Sequence, residues 1–204
     1  MKKRPDHKSN QGRESYSADF SSNHPTEPTG PAPDMHQAEA FLNALDFLAL
    51  QWCFQTFDDG PEKRRHLAST QHGTLQELAP RLQTLNAQGA GVFVTVNEVA
   101  PGKPRKAENI KRVRAVFADF DDAGRDNLAA LKCVALEPSI LVESSPGKFH
   151  AYWLVNDMEP KDFRPLQQAI AEKLGTDNAV KDLPRVMRVP GFIHKKGAPE
   201  LVKL

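Results

Sequence analysis

Cysteine is scarce: among 204 residues only Cys53 and Cys133 occur. Two distant thiols, with no histidines at matching spacings, exclude a four-ligand zinc site, and both are expected to be buried and reduced. No apolar run approaches the length of a membrane span, and no hydrophobic segment follows the basic start MKKRPDHKSN. Neither a membrane helix nor a secretory leader is expected, and a cytoplasmic location is. Charge of one sign is not in excess either, with 27 Lys plus Arg against 26 Asp plus Glu. Net charge therefore points to no nucleic acid, and such a partner must be argued from local clusters. There is no internal repeat. What is present, 39% hydrophobic and 26% charged residues, is the composition of one globular domain with a single sizeable core.

The chain divides near residue 35. Residues 1–35 hold five of the 16 prolines and much Ser and polar residue without periodicity, which predicts a disordered tail before a domain over 36–204. Phe41, Leu45 and Leu48 then recur at helical spacing, and WCFQTF reads as a strand ending at a turn of Asp58, Asp59, Gly60 and Pro61. TLQE at Thr74 to Glu77 has capping-box form, and Leu75, Leu78, Leu82 and Leu85 continue as a stripe towards Gly89, with Pro80 expected to kink or restart the helix. Strands follow at GVFVTVN, VRAVFADF, SILVES, FHAYWLV and RVMRV. Helices are expected at DNLAALKCVAL, capped by Asp126, and along Phe163, Leu166, Ile170 and Leu174. The fold class is α+β: a mixed β-sheet with flanking helices, in which the SPGK turn makes at least one antiparallel hairpin.

Three polar clusters interrupt this pattern. In FADFDD, strand alternation sends Asp119 and Asp121 to one side and Phe120 and Asp122 to the other. Two converging carboxylates repel, and a hard divalent cation would relieve the repulsion, although an isolated pair of this kind is more often a solvated acidic turn. In ESSPGKFHAYW, Lys148, His150 and Tyr152 share a face, and with Ser145 and the backbone of the 144–147 turn they could hold an anion. A plain surface hairpin with a hydrogen-bonded histidine satisfies the same residues. In DNAVKDLPRVMRVPGFIHKK, Asp177 and Asp182 precede Arg185, Arg188, His194, Lys195 and Lys196, which suits a metal at one end and a polyphosphate at the other, or equally a solvated basic loop.

In this order and spacing, the three clusters resemble the three-motif signature of the archaeo-eukaryotic primase superfamily, most closely the RepB-type primases of plasmids and phages, from about Trp52 to the C-terminus. The resemblance implies an RRM-like catalytic core in which Asp119, Asp121 and Asp177 are catalytic and bind Mg2+ or Mn2+, with Asp182 as an alternative ligand. It further implies nucleotide contacts from Ser145, Lys148, His150, Arg185, Arg188 and His194. The implied activity is synthesis of short primers on a single-stranded DNA template from nucleoside triphosphates by two-metal phosphoryl transfer. Lys111, Arg112 and Arg114, just before the first motif, are expected to follow template phosphates, with a solvated edge almost as good a reading of the same residues. No helical domain follows the third motif before Leu204, so the expectation is a catalytic core that primes alone, is a piece of a longer protein, or depends on a helical template-binding domain or a helicase on another chain. A metal-dependent nuclease and a catalytically inactive nucleic-acid-binding module are the competing classes. The nuclease would have little use for a triphosphate clamp.

Overall fold

Asp34 accepts a hydrogen bond from the His36 backbone N–H at 3.0 Å and so opens helix α1, Met35–Asp46, which buries Ala38, Phe41, Leu42 and Leu45. This is a computed structural model that describes Met1 and residues 31–122 and 124–204. Most of the expected tail therefore lies outside the described residues. Strand β1 is Trp52–Asp58 and strand β2 Ser69–Gly73. In helix α2, Leu75–Ala87, the capping box forms: Thr74 and Glu77 exchange side-chain-to-backbone bonds, and the helix runs through Pro80 without restarting. Strand β3, Ala90–Thr95, and a small hairpin of β4, Glu98–Val99, and β5, Ile110–Arg112, follow.

Strand β6, Ala115–Phe120, leads into the acidic loop and the short helix α3, Asn127–Lys132. The hairpin of β7, Ile140–Ser145, and β8, Lys148–Leu154, comes next, and then helix α4, Pro160–Leu174. The chain closes with β9, Val186–Arg188, and the two-residue strands β10, Ile193–His194, and β11, Glu200–Leu201.

The α+β class is as expected, but strand pairing is more uniform than a mixed sheet, since every registered pair is antiparallel. The four-stranded sheet has the order β2-β1-β3-β9 and the three-stranded sheet the order β6-β8-β7. β6, α3 and β7 form a crossover, and β8 inserts between the two strands, so these two strands never pair directly. One hydrophobic core joins both sheets to α1, α2 and α4. At its centre Tyr152 packs against Phe41 and Phe117, with ring centroids 5.5 and 6.4 Å apart, and Phe117 reaches Phe163 of α4 at 5.8 Å.

Two polar devices position the third motif. Buried Asn86 donates to the carbonyls of Ala90 and Ile193, both at 2.7 Å, and accepts from the Ile193 N–H at 3.0 Å, joining α2, β3 and β10. Gly191, at φ +83°, turns the chain after Pro190. Its carbonyl accepts from Asp34 N–H at 2.7 Å, and an added Cβ there would lie 1.9 Å from the Asp34 carbonyl oxygen.

Two helix readings are corrected. The buried stripe of α4 is Phe163, Gln167 and Ala171, while Leu166 is 40% exposed. Gln167 is inside because its amide bonds both backbone groups of Phe117 on β6, an edge strand whose outward groups have no strand partner. Helix α3 stops at Lys132, and Cys133 just beyond it is exposed rather than buried.

Candidate active site

Strand β6 carries Asp119 to its penultimate position, and the chain then leaves the sheet so that Asp121 and Asp122 project from a loop. The Asp119 side chain is 23% exposed and its Oδ1 has no hydrogen-bond partner. His150 stands opposite it on β8, with Nε2 3.7 Å from that oxygen, too far for a hydrogen bond. Burial, and then the charges of Asp121 and Asp177, push the Asp119 carboxyl up to about 6. Asp177 arrives after α4, its Oδ1 accepting from Ala179 N–H at 2.8 Å. Asp182 is instead paired with Arg185 at 2.5 Å.

The carboxylates Asp119 and Asp121 form a wall between two clefts. One, of about 510 Å³, is also lined by Ser145, Lys148, His150, Arg185, Arg188 and His194, together with Phe93, Ser144 and Lys196. The other, of about 350 Å³, is lined by Asp122, Arg125, Asn127 and Asp177 besides the shared pair. Asp119 and Asp121 thus share the first cleft with the expected nucleotide-binding residues, whereas Asp177 lines only the second, Asp182 neither, and Lys111, Arg112 and Arg114 lie at a separate hollow. The first cleft is lined by both acidic and basic side chains.

His150 is buried, and that burial, aided by the Arg188 charge, lowers it to about 3. It is therefore neutral at physiological pH, with Nδ1 unpartnered. His194 falls to about 4 through burial and Arg188, opposed by Asp59. Tyr152 does not share an open polar face with Lys148 and His150: it is fully buried under α1, and its hydroxyl finds no partner. Along Lys148, His150 and Tyr152, only Lys148 is not buried.

The basic run before β6 is also corrected. Arg114 is buried, its Nε 2.7 Å from Asp46 and its guanidinium 4.6 Å from the Trp52 ring centroid. Buried there, it cannot follow a phosphate chain without giving up both Asp46 and the Trp52 ring. Arg112 bonds Asp46 and Glu98, and Lys111 is exposed. Sequence reasoning missed Asp59, whose carboxylate holds Arg188. It also missed Asn127, whose amide donates to the carbonyls of Asp122 at 3.1 Å and Gly147 at 2.9 Å and so ties the acidic loop to the 145–147 turn. The Asp59 signal was present only as one acid of a DDG turn.

The donors fit a hard divalent cation: they are all carboxylate oxygens, and Asp119 offers a buried oxygen that no protein group satisfies. Among the described residues, no three acidic, histidine or cysteine side chains already stand close enough to surround an ion. Asp177 would have to close onto the other two.

With two antiparallel sheets, a split crossover and one cleft lined by both acids and bases, the chain has the fold of the archaeo-eukaryotic primase catalytic domains. The archaeo-eukaryotic primase domain of the cyanophage S-2L primase-polymerase superposes with a TM-score of 0.68 at 21% identity, covering 85% of this chain and 90% of that one. The crystal structure of primase RepB′ gives 0.62 at 20% identity, covering 83% and 55%. Its catalytic domain in complex with initiator DNA gives 0.58 at 20% identity, covering 82% and 81%. The family model described as the RepB DNA-primase N-terminal domain matches residues 65–204, and the chain belongs to that family. A replication protein of Clostridium perfringens is 28% identical over 133 residues, 56% of this chain; the alignment spans 32% of that relative's length.

Proposed function

We propose that the chain is the nucleotidyl-transfer domain of a plasmid- or phage-type replication primase, making short primers on single-stranded DNA. The observation that carries this reading is the pairing of half-buried Asp119, whose Oδ1 is unpartnered and whose carboxyl is pushed up to about 6, with a basic wall in the same cleft. A nuclease would have little use for a clamp on a free triphosphate.

Asp119, Asp121 and Asp177 would hold Mg2+ or Mn2+, which when bound would lower the pKa of the attacking 3′-hydroxyl and neutralise the departing pyrophosphate. Lys148, Arg185 and Arg188 would bind the triphosphate oxygens by charge-assisted hydrogen bonds. Ser145 and neutral His150 and His194 would add uncharged donors, fixing the polyphosphate without further charge. Template contacts are assigned to Lys111. Arg114 is withdrawn from that role, and Arg112 retains only what its two ion pairs leave. A partner chain or a further domain would supply the rest of the template grip.

The test is de novo synthesis. Purified chain, a single-stranded template, labelled nucleoside triphosphates and Mg2+ or Mn2+ are expected to yield short oligomers resolved by length. Template degradation without nucleotides, and no oligomer even from a primed template, would overturn the reading in favour of a nuclease.

A further inference from the structure

The Arg188 guanidinium is already engaged before any nucleotide arrives. Its two terminal nitrogens bond the Asp59 carboxylate at 2.7 and 3.1 Å, and the side chains are only 7% and 2% exposed. The same carboxylate accepts from the Lys195 backbone N–H at 3.0 Å. That bond ties the segment just after His194 to the turn that ends β1. On its flank the guanidinium lies 4.7 Å from the Phe93 ring centroid. Beneath it is Gly91, where an added Cβ would fall 2.6 Å from Arg188 Nη1 and 2.7 Å from Asp59 Oδ1. The pair therefore passes over β3 only because that position has no side chain.

We propose that Asp59, seated over Gly91, is a positioning residue for nucleotide binding, acting through Arg188. This rests on the reading of the cleft as the triphosphate site. An end-on carboxylate occupies one N–H of each terminal nitrogen and leaves the Nε–H and the outer N–H groups for a phosphate. Asp59 thus sets the direction in which Arg188 presents its remaining donors. Burial would raise the Asp59 carboxyl, but the Arg188 bonds and charge bring it below its usual range, so the pair stays ionised when the cleft is empty. A long, flexible arginine is thereby preorganised, and its ordering cost is met by the fold rather than by the ligand.

The experiment titrates ATP and dATP, with Mg2+, into wild type, Asp59→Asn, Gly91→Ala, Arg188→Ala and the double variant Asp59→Asn/Arg188→Ala, with unfolding temperatures recorded alongside. Asp59→Asn is expected to weaken triphosphate affinity roughly tenfold, the order that a lost orienting partner costs at a ligand site. It should raise KM far more than it lowers kcat and leave single-stranded DNA affinity unchanged. Gly91→Ala keeps both partners but pushes them apart, and should weaken triphosphate in the same way if Asp59→Asn proves too unstable to study. In the Arg188→Ala background, Asp59→Asn should add nothing to the loss, whereas a merely structural role would persist there. If Arg188→Ala weakens triphosphate binding while Asp59→Asn and Gly91→Ala do not, the positioning role is wrong and the primase reading stands. If Arg188→Ala itself leaves triphosphate binding intact, the assignment of the cleft fails, and this inference with it.

Discussion

Asp119 is the residue on which electrostatics and chemistry bear together. Its carboxyl is raised from 3.8 to about 6, by burial first and by Asp121 and Asp177 next. A group that binds its proton more tightly when folded favours the fold at low pH and withdraws that support as pH rises. The stability contributed by Asp119 is therefore complete below about pH 4, declines to pH 6, and is a constant penalty above. Without metal, Asp119→Asn is expected to raise the unfolding free energy at pH 7.5 by roughly 1–3 kcal/mol, the gain vanishing near pH 4. Denaturant titrations of both proteins at the two pH values, with chelator present, check this. A variant less stable than wild type at pH 7.5 would show that Asp119 is a structural ligand of the protein itself. That acids cluster here was legible in FADFDD itself, although Asp121 sits on the loop after β6 and not on the strand that the alternation argument assumed. The penalty was not legible, since it depends on Asp177, which arrives 58 positions later, and on the depth at which β6 ends.

At the scale of elements, the turn at Gly191 fixes where the third motif lies against α1. A side chain there meets a backbone oxygen and an unfavourable φ at once. Gly191→Ala is therefore expected to cost about 2–4 kcal/mol in denaturant unfolding, with Gly197→Ala, which meets nothing within 4 Å, close to neutral. Equal effects of the two would contradict the seating of this turn. The strands containing the first two motifs, β6, β7 and β8, were legible because each is an apolar run bounded by turn residues. So was the capping box of α2. The α4 stripe was misread because apolar spacing identifies hydrophobic residues, not buried ones: Gln167 is inside for the sake of the Phe117 backbone, and Leu166 is left on the surface. Strand β2, STQHG, was missed for the converse reason, having almost no apolar residues and drawing its structure from pairing with β1.

For the whole molecule, near-zero net charge conceals a strong local arrangement, with acids at the end of one sheet sharing a cleft with bases from β8, β9 and β10. The three motifs could be read because each is short and local and because their order matches a known signature. The Asp59–Arg188 pair could not, since it joins residues 129 positions apart and exists only once β1, β3 and β9 are side by side. Arg114 shows the opposite error, a base that looked available in sequence and is consumed by Asp46 across the fold. The central claim is that the acids at the cleft perform nucleotidyl transfer while the fold stands without them. The most direct measurement is incorporation of labelled nucleotide on a primed single-stranded template by wild type, Asp119→Asn, Asp177→Asn and Asp182→Asn, with unfolding temperatures measured in parallel. The first two variants are expected to lose incorporation by about two orders of magnitude or more while unfolding no earlier than wild type, and Asp182→Asn should retain it. Full incorporation by Asp119→Asn, or activity lost only in step with unfolding, would contradict the account.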